Sequence, residues 1–149
     1  MKSYAEDIDS PEIRFLHGDE WDEYTAEVKM RCYDAREIFA EKCRAALTRR
    51  SYKLRDLLDV YFMQEGLGYS VEGLKNDIIR KTNFMLDLYT RYHENFMFTR
   101  FPRKGLLASD EMKLLLADPP RSLGDEIVRI QLELEELKED LVSRSRKRK

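Results

Sequence analysis

The sequence predicts a mainly helical α+β fold, in which a short antiparallel β-ribbon packs on a bundle of four to five helices. Apolar residues alternate with polar ones between residues 12 and 32, which is the period of a half-buried strand. From residue 34 onward they recur every three to four residues, which is the period of a helix. The chain has 149 residues, enough for one hydrophobic core. We therefore predict a single domain over residues 1–143, with the ribbon in 1–33, the helices in 34–143 and a basic tail at 144–149.

The ribbon is predicted from two alternating segments separated by a turn at Gly18-Asp19. Ile13 and Phe15 form the apolar face of the first segment, and the second has apolar residues at Ala26, Val28, Met30 and Cys32. Because a two-stranded ribbon is not stable alone, it must pack on the helices or join a larger sheet.

The first two predicted helices are joined by a short basic connection and should pack antiparallel. Asp34 and Glu37 form a capping-box pattern that begins the first helix, which runs to about Thr48. Its expected buried residues are Phe39, Cys43, Ala46 and Leu47. The second helix, over residues 53–65, is predicted from a stripe comprising Leu54, Leu57, Leu58, Tyr61 and Phe62, and Gly66 and Gly68 should end it.

The remaining helices are predicted from residue 70 onward. A long helix should run from about Ser70 toward Phe98, with its apolar stripe at Val71, Leu74, Ile78, Met85 and Leu88. A short helix should follow Ser109, and the last helix should begin at Ser122. That last helix has a heptad seam formed by Leu123, Ile127, Ile130, Leu134, Leu137 and Leu141. Two interpretations stay open: the seam packs on the long helix of the same chain, or it forms a dimer interface.

Composition and charge exclude several classes of protein. No apolar run approaches the roughly 20 residues that a membrane span requires, and the acidic N-terminus does not fit a secretory signal. The two histidines and two cysteines lack metal-ligand spacing, so we predict no metal site. We expect a soluble, cytoplasmic protein. The tail at residues 144–149 has five basic residues, which suit either a solvated helix end or contacts with phosphates.

Residues 37–63 contain the polar side chains that are most suggestive of chemistry. Lys42 lies at the edge of a buried stripe, and Arg55 and Asp59 are four residues apart on one flank of the next helix. Antiparallel packing would bring Lys42 near Asp59. A salt-bridge cluster that fixes the two helices explains this pattern without any chemistry, and the spacing does not decide between the two interpretations.

This stretch resembles the AbiEii-type nucleotidyltransferases, the abortive-infection (type IV toxin–antitoxin) branch of the DNA polymerase β-like superfamily. Those proteins have a helix with a Glu-Lys pair, an arginine-containing turn, and Arg-Asp-x-x-Asp running into an aromatic and apolar helix. The matching residues here are Glu41-Lys42, Arg49-Arg50, and Arg55-Asp56-Leu57-Leu58-Asp59 followed by Val60-Tyr61-Phe62. The close match covers residues 37–63, and a looser match extends over about residues 25–100.

The resemblance implies site residues and cofactors. It assigns Lys42 and Asp59 as catalytic residues, with Lys42 contacting nucleotide phosphates and Asp59 orienting that lysine or the acceptor. Arg50, Arg55 and Asp56 are implied as nucleotide-binding neighbours. The implied cofactors are a nucleoside triphosphate and Mg²⁺, which this chain is expected to bind only when a catalytic half completes it.

The family's metal-binding half has no counterpart that we identify in the sequence. Its members have a Gly-Ser or Gly-Gly turn followed by an Asp-x-Asp pair for two Mg²⁺ ions. Asp7-Ile8-Asp9 imitates that pair, but only six residues precede it, so we interpret it as acidic surface. We therefore expect the chain to correspond to the C-terminal portion of such an enzyme and to be inactive alone.

Two other functions remain open at this point. The first is a helical protein-interaction module that uses the seam at residues 123–141. The second is nucleic-acid binding through Arg49, Arg50, Lys53, Arg55 and the basic tail. The expected partners are a second copy of the chain in a homodimer, and a catalytic-half or antitoxin protein chain.

Overall fold

The computed structural model describes residues 32–102, 110–115 and 118–146. These residues form five α-helices and a 3₁₀ helix, so the mainly helical prediction is confirmed. The α-helices are α1 (Ala35–Thr48), α2 (Leu54–Leu67), α3 (Lys75–Leu88), α4 (Thr90–Phe98) and α5 (Leu123–Arg146), and the 3₁₀ helix spans Asp110–Leu114. No strand occurs within the described ranges. The ribbon predicted within residues 12–32 lies almost entirely outside them and stays a prediction.

Helix α1 begins and ends where the sequence predicts. The side chain of Asp34 caps it by accepting a hydrogen bond from the backbone N–H of Arg36 at 2.7 Å. Phe39, Cys43 and Leu47 recur at four-residue intervals and are fully buried, because residues at this spacing share one helix face.

Helix α2 extends slightly further than predicted. Gly66 lies inside the helix, and Gly68 is the residue that ends it, with a left-handed φ of 68°. Its N-terminus has no side-chain cap from Lys53; instead the backbone N–H of Arg55 donates to Glu111 of the 3₁₀ helix at 3.1 Å. Leu54, Leu57 and Leu58 are buried as predicted, whereas Phe62 is exposed, which corrects its assignment to the apolar stripe.

The long helix predicted between residues 70 and 98 is broken, which corrects the prediction. Residues 71–74 form turns, and Tyr89 adopts an extended conformation between α3 and α4. A continuous helix would extend about 43 Å, twice the length of α1. The break lets both α3 and α4 pack on α1, and it places Phe96 in the core while Leu88 is exposed.

The seam of α5 is internal. All six of its apolar residues are buried, and the helix packs on α2 and α1. The predicted packing against the long helix is therefore wrong as to the partner, although an ion pair of 3.0 Å joins Lys75 to Asp140 across α3 and α5. Because the seam is buried within one chain, it cannot also be a dimer interface or a docking surface.

The helices of the described ranges lack the combination of length and apolar composition that crossing a bilayer requires.

Candidate functional site

A polar edge lies where α1 and α2 pack side by side. Lys42 and Arg49 are seven residues apart, or two helical turns, so they project toward the same side of α1. Asp56 and Asp59 are three residues apart and lie on one face of α2. The antiparallel arrangement brings both pairs together, and we call these four residues the α1–α2 cluster.

Each basic residue of the cluster is paired with a carboxylate. Lys42 Nζ lies 2.5 Å from Asp59 Oδ2, and Arg49 Nε lies 2.6 Å from Asp56 Oδ2. Lys42 Nζ is also 4.0 Å from Asp56 Oδ1, so the lysine lies between the two carboxylates. The pairing of residue 42 with 59 and of residue 49 with 56 confirms that α1 and α2 are antiparallel.

The two carboxylates lie in different environments. The side chain of Asp56 is 1% exposed, that of Asp59 is 45% exposed, and that of Lys42 is 32% exposed. The cluster therefore has a buried end at Asp56 and a solvent-facing end at Lys42 and Asp59.

Burial raises the pKa of Asp56 above its ordinary value, while the positive charges of Arg49 and Lys42 act in the opposite direction. A buried carboxylate is costly unless cations and hydrogen bonds compensate it. Asp56 therefore depends on Arg49 and Lys42, and the two cations are in turn held in position by Asp56.

A second group of charges fixes α1 to its other neighbours. Glu41 pairs with Arg44, and Lys81 of α3 pairs with Glu37 and lies 3.9 Å from Glu41. Arg44 also donates to the Thr48 hydroxyl at 3.0 Å. The contacts of Lys81 attach α1 to α3, while those of Arg44 lie within α1, so the helix that holds Lys42 is fixed to both α2 and α3.

The structure brings together only part of the predicted site. Lys42, Asp56 and Asp59 meet in the cluster, whereas Arg50 and Arg55 are exposed and form no ion pair with it among the described residues. Arg55 instead acts on Asp56 at longer range, as one of the positive charges that lower its pKa.

The residue that binds Asp56 directly is Arg49, which the sequence analysis did not assign to the nucleotide site. Spacing alone does not single it out: Arg49 is the C-cap residue of α1, and its extended backbone takes Arg50 out of the helix. Of the two adjacent arginines, Arg49 and Arg50, it is therefore Arg49 that completes the cluster.

The cluster does not fit a magnesium site. Mg²⁺ prefers several carboxylate or phosphate oxygens in octahedral geometry, whereas both carboxylates of the cluster are occupied by cations. No group of three metal-ligating side chains occurs in the part of the chain that the structure describes. Asp7 and Asp9 lie outside that part.

Comparison with known proteins assigns the chain to a family. The family model described as "Nucleotidyl transferase AbiEii toxin, Type IV TA system" matches residues 3–143. This range is wider than the similarity between residues 25 and 100 that the motifs indicate. No curated protein and no solved structure matches the chain significantly. Because the family match covers nearly the whole chain, the chain belongs to the AbiEii nucleotidyl transferase toxin family of type IV toxin–antitoxin systems.

Proposed function

We propose that the α1–α2 cluster is the nucleotide-facing site of an AbiEii-type nucleotidyltransferase toxin. The observation that carries this proposal is the half-exposed Lys42, which lies between a buried carboxylate and an exposed one on two packed helices. Lys42 supplies a positive charge to the nucleotide phosphates, and Asp59 orients it.

The geometry suits this role. The side chain of Lys42 is 32% exposed, and its ammonium is held at the surface by Asp59 at 2.5 Å. Lysine is an effective point charge for phosphate groups, and phosphoryl-type transfer depends mainly on positioning and charge neutralisation. An incoming polyphosphate can take over the exposed side of Lys42 while Asp56 continues to hold it from the buried side.

The other residues support this site from nearby positions. Asp56 acts through Lys42 and Arg49 and is therefore a positioning residue. Arg50 and Arg55 are exposed near the N-terminal end of α2 and add positive charge around the site.

Binding of nucleoside triphosphates tests the proposal. We expect Lys42→Ala to weaken NTP binding by about tenfold or more, the effect of losing one charge-assisted contact. Lys81→Ala is the matched control, because Lys81 is also a half-buried lysine that pairs with a glutamate of α1. Calorimetric titration with each of the four NTPs, with and without Mg²⁺, measures both variants.

The competing interpretation is a salt-bridge cluster that only fixes the helix pair. It predicts that Lys42→Ala lowers the free energy of unfolding without weakening NTP binding, or that the wild-type protein itself binds no NTP. Wild-type protein that binds no NTP, or a Lys42→Ala variant that binds as well as Lys81→Ala, would contradict the nucleotide site.

We further propose that transfer needs metal-binding carboxylates that the cluster does not provide. Two-metal catalysis requires clustered acidic ligands around the reacting phosphate. We expect the purified chain to leave RNA and protein acceptors unlabelled when it is supplied with radiolabelled NTP and Mg²⁺. Labelling that Asp7→Ala with Asp9→Ala abolishes would overturn this expectation and would assign the metal site to those two residues.

The family description also suggests a partner. Since it names a toxin–antitoxin system, we propose an antitoxin or a catalytic-half chain as the cytoplasmic partner, and self-association as a homodimer. The burial of the α5 seam means that a homodimer must use another surface. Light scattering at micromolar concentration tests it, and a mass that stays at 17.8 kDa on concentration would exclude the dimer.

A further inference from the structure

A second surface near the α1–α2 cluster has different chemistry. A cleft of about 780 Å³ lies between the connection that follows α1 and one side of α4. Its lining includes three arginines, two aromatic rings and an amide, contributed by Arg49, Arg50, Arg91, Tyr92, Asn95 and Phe98. We call it the arginine–aromatic cleft.

The walls of this cleft are held together by specific contacts. The Thr99 hydroxyl lies 3.1 Å from the carbonyl oxygen of Arg49 and 2.6 Å from that of Asn95, so it joins the end of α1 to the end of α4. Arg49 is also fixed by Asp56 at 2.6 Å. The cleft is therefore formed before any ligand binds.

The aromatic and basic groups of the cleft are interleaved. The Arg91 guanidinium carbon lies 5.1 Å from the centre of the Tyr92 ring and 5.6 Å from that of Tyr89, which is cation–π geometry. Phe98 is 80% exposed, an unusually open position for a phenylalanine. An exposed ring beside fixed cations offers a stacking surface next to positive charge.

A second cleft on the molecule shows that this composition is not a general property of the surface. That cleft, between α1 and α3, has two acidic residues, Glu37 and Glu41, balanced by Arg80 and Lys81, with Phe84 beside them. The arginine–aromatic cleft has only Glu94 against its three arginines. Excess positive charge is therefore a feature of one cleft and not of the other.

We propose that the arginine–aromatic cleft binds single-stranded nucleic acid. Sites for single strands combine a positive groove that follows the phosphates with aromatic rings on which bases stack. Arg50 and Arg91 supply the groove, and Phe98 supplies the exposed ring, because the Tyr92 ring already packs against Arg91 and Arg44. Because Arg50, Arg91 and Phe98 are all exposed, the cleft is open along its length, which suits a continuous strand better than an enclosed mononucleotide.

This site is separate from the proposed nucleotide site and does not rest on it. The two share Arg49, whose guanidinium faces Asp56 while the residue also lines the cleft. It also differs from the nucleic-acid hypothesis based on residues 49–55 and the tail, because its stacking residue, Phe98, and its exposed Arg91 both come from α4.

Fluorescence anisotropy with labelled oligonucleotides of about twelve nucleotides tests this site, since single-strand sites span roughly that length or less. An oligo(U) RNA and an oligo(dT) DNA distinguish the two sources of a single strand. We expect the wild-type chain to bind at low salt, and Phe98→Ala to weaken binding about fivefold or more through loss of one stacked base. Arg91→Ala should also weaken binding and lower the slope of log affinity against log salt by about 0.7.

Phe84→Ala and Arg80→Ala are the matched controls, because they remove an exposed ring and an exposed arginine from the charge-balanced cleft. Both should bind as the wild type does, and thermal melting should show that all four variants are folded. Lys42→Ala should retain oligonucleotide binding, so the nucleotide site and this cleft can fail independently.

Four results would overturn the proposal. The first is a wild-type chain that binds neither oligonucleotide. The second is that Phe98→Ala and Arg91→Ala bind oligonucleotides as well as their control variants do. Alternatively, removal of residues 144–149 would abolish binding while Phe98→Ala would not, which would assign binding to the tail. Competition by a free NTP that Phe98→Ala abolishes would assign the cleft to mononucleotides instead.

Discussion

The seam of α5 and the cluster between α1 and α2 are both built on helix-spaced residues, yet they depend on different physics. The seam consists of six apolar residues that are all buried, and its contribution grows with the area removed from water. The cluster has one buried carboxylate, Asp56, which tolerates burial only because specific cations face it. Loss of an apolar contact therefore reduces stability in proportion to area, whereas loss of one charge in the cluster leaves its partner uncompensated.

The largest expected effect tests whether the seam is internal. Leu134→Glu places a carboxylate at a position that is 0% exposed, and it should cost more than about 4 kcal/mol and unfold the chain. Leu132→Glu is the control on the same helix, because Leu132 is 47% exposed, and its effect should stay within about 0.5 kcal/mol. Circular dichroism and urea unfolding measure both. A folded Leu134→Glu monomer obtained from a wild-type dimer would show that the seam is an interface.

A smaller but still large effect is expected inside the cluster. Asp56→Ala removes the buried carboxyl group that holds Arg49 and leaves a cavity, and it should cost about 3 kcal/mol. Asp59→Ala removes an exposed carboxylate instead and should cost less than about 1 kcal/mol. Urea unfolding at neutral pH compares the two variants. Equal costs would mean that burial does not distinguish the two aspartates.

The pH dependence of stability sharpens the same comparison. The pKa of Asp56 is raised in the folded state above its ordinary value of 3.8, so the folded state binds the proton more tightly than the unfolded state. Its contribution to stability is therefore lost as the pH rises from 3.8 through the raised value. The difference in unfolding free energy between wild type and Asp56→Ala should shrink over this window. A difference that grows with pH would show a lowered pKa.

The smallest effects are expected at the end of α2, where neither the seam nor the cluster acts. Gly68→Ala forces a left-handed conformation on alanine and should destabilise the chain by about 1 kcal/mol. Gly66→Ala lies inside the helix and should stabilise it by up to about 1 kcal/mol. An added methyl group has no neighbouring atom within 4 Å at either position, so the change in stability reports backbone conformation and not packing. Thermal melting should show shifts of opposite sign.

Local sequence signals predicted the helix termini where a local cause controls them. Asp34 caps α1, and a glycine ends α2, because each acts on backbone groups of its own turn. The break at Tyr89 was not predictable in this way, because no glycine or proline marks it. Packing of both α3 and α4 on the shorter α1 produces the break.

The candidate site likewise has features that local sequence spacing predicts and features that depend on tertiary packing. The spacing of Lys42 and Asp59 predicted that they meet once the two helices pack antiparallel, whereas Asp56 was assigned to the site by the family resemblance. The choice of Arg49 over Arg50 depends on how the chain leaves α1, and the contribution of Phe98 and Arg91 to a neighbouring cleft depends on where α4 lies. Neither is encoded by spacing within residues 37–63.

The sequence by itself determined the helical period from residue 34 onward, the apolar faces of α1 and α5, and which family the motifs between Glu41 and Asp59 resemble. The tertiary structure decided the partners: α2 and not the long helix covers the α5 seam, and Asp56 and not Asp59 is the buried carboxylate. The physical reason is that periodicity along a helix fixes the direction of a side chain relative to its own axis. What that side chain meets depends on the position of other helices, which distant parts of the chain set together.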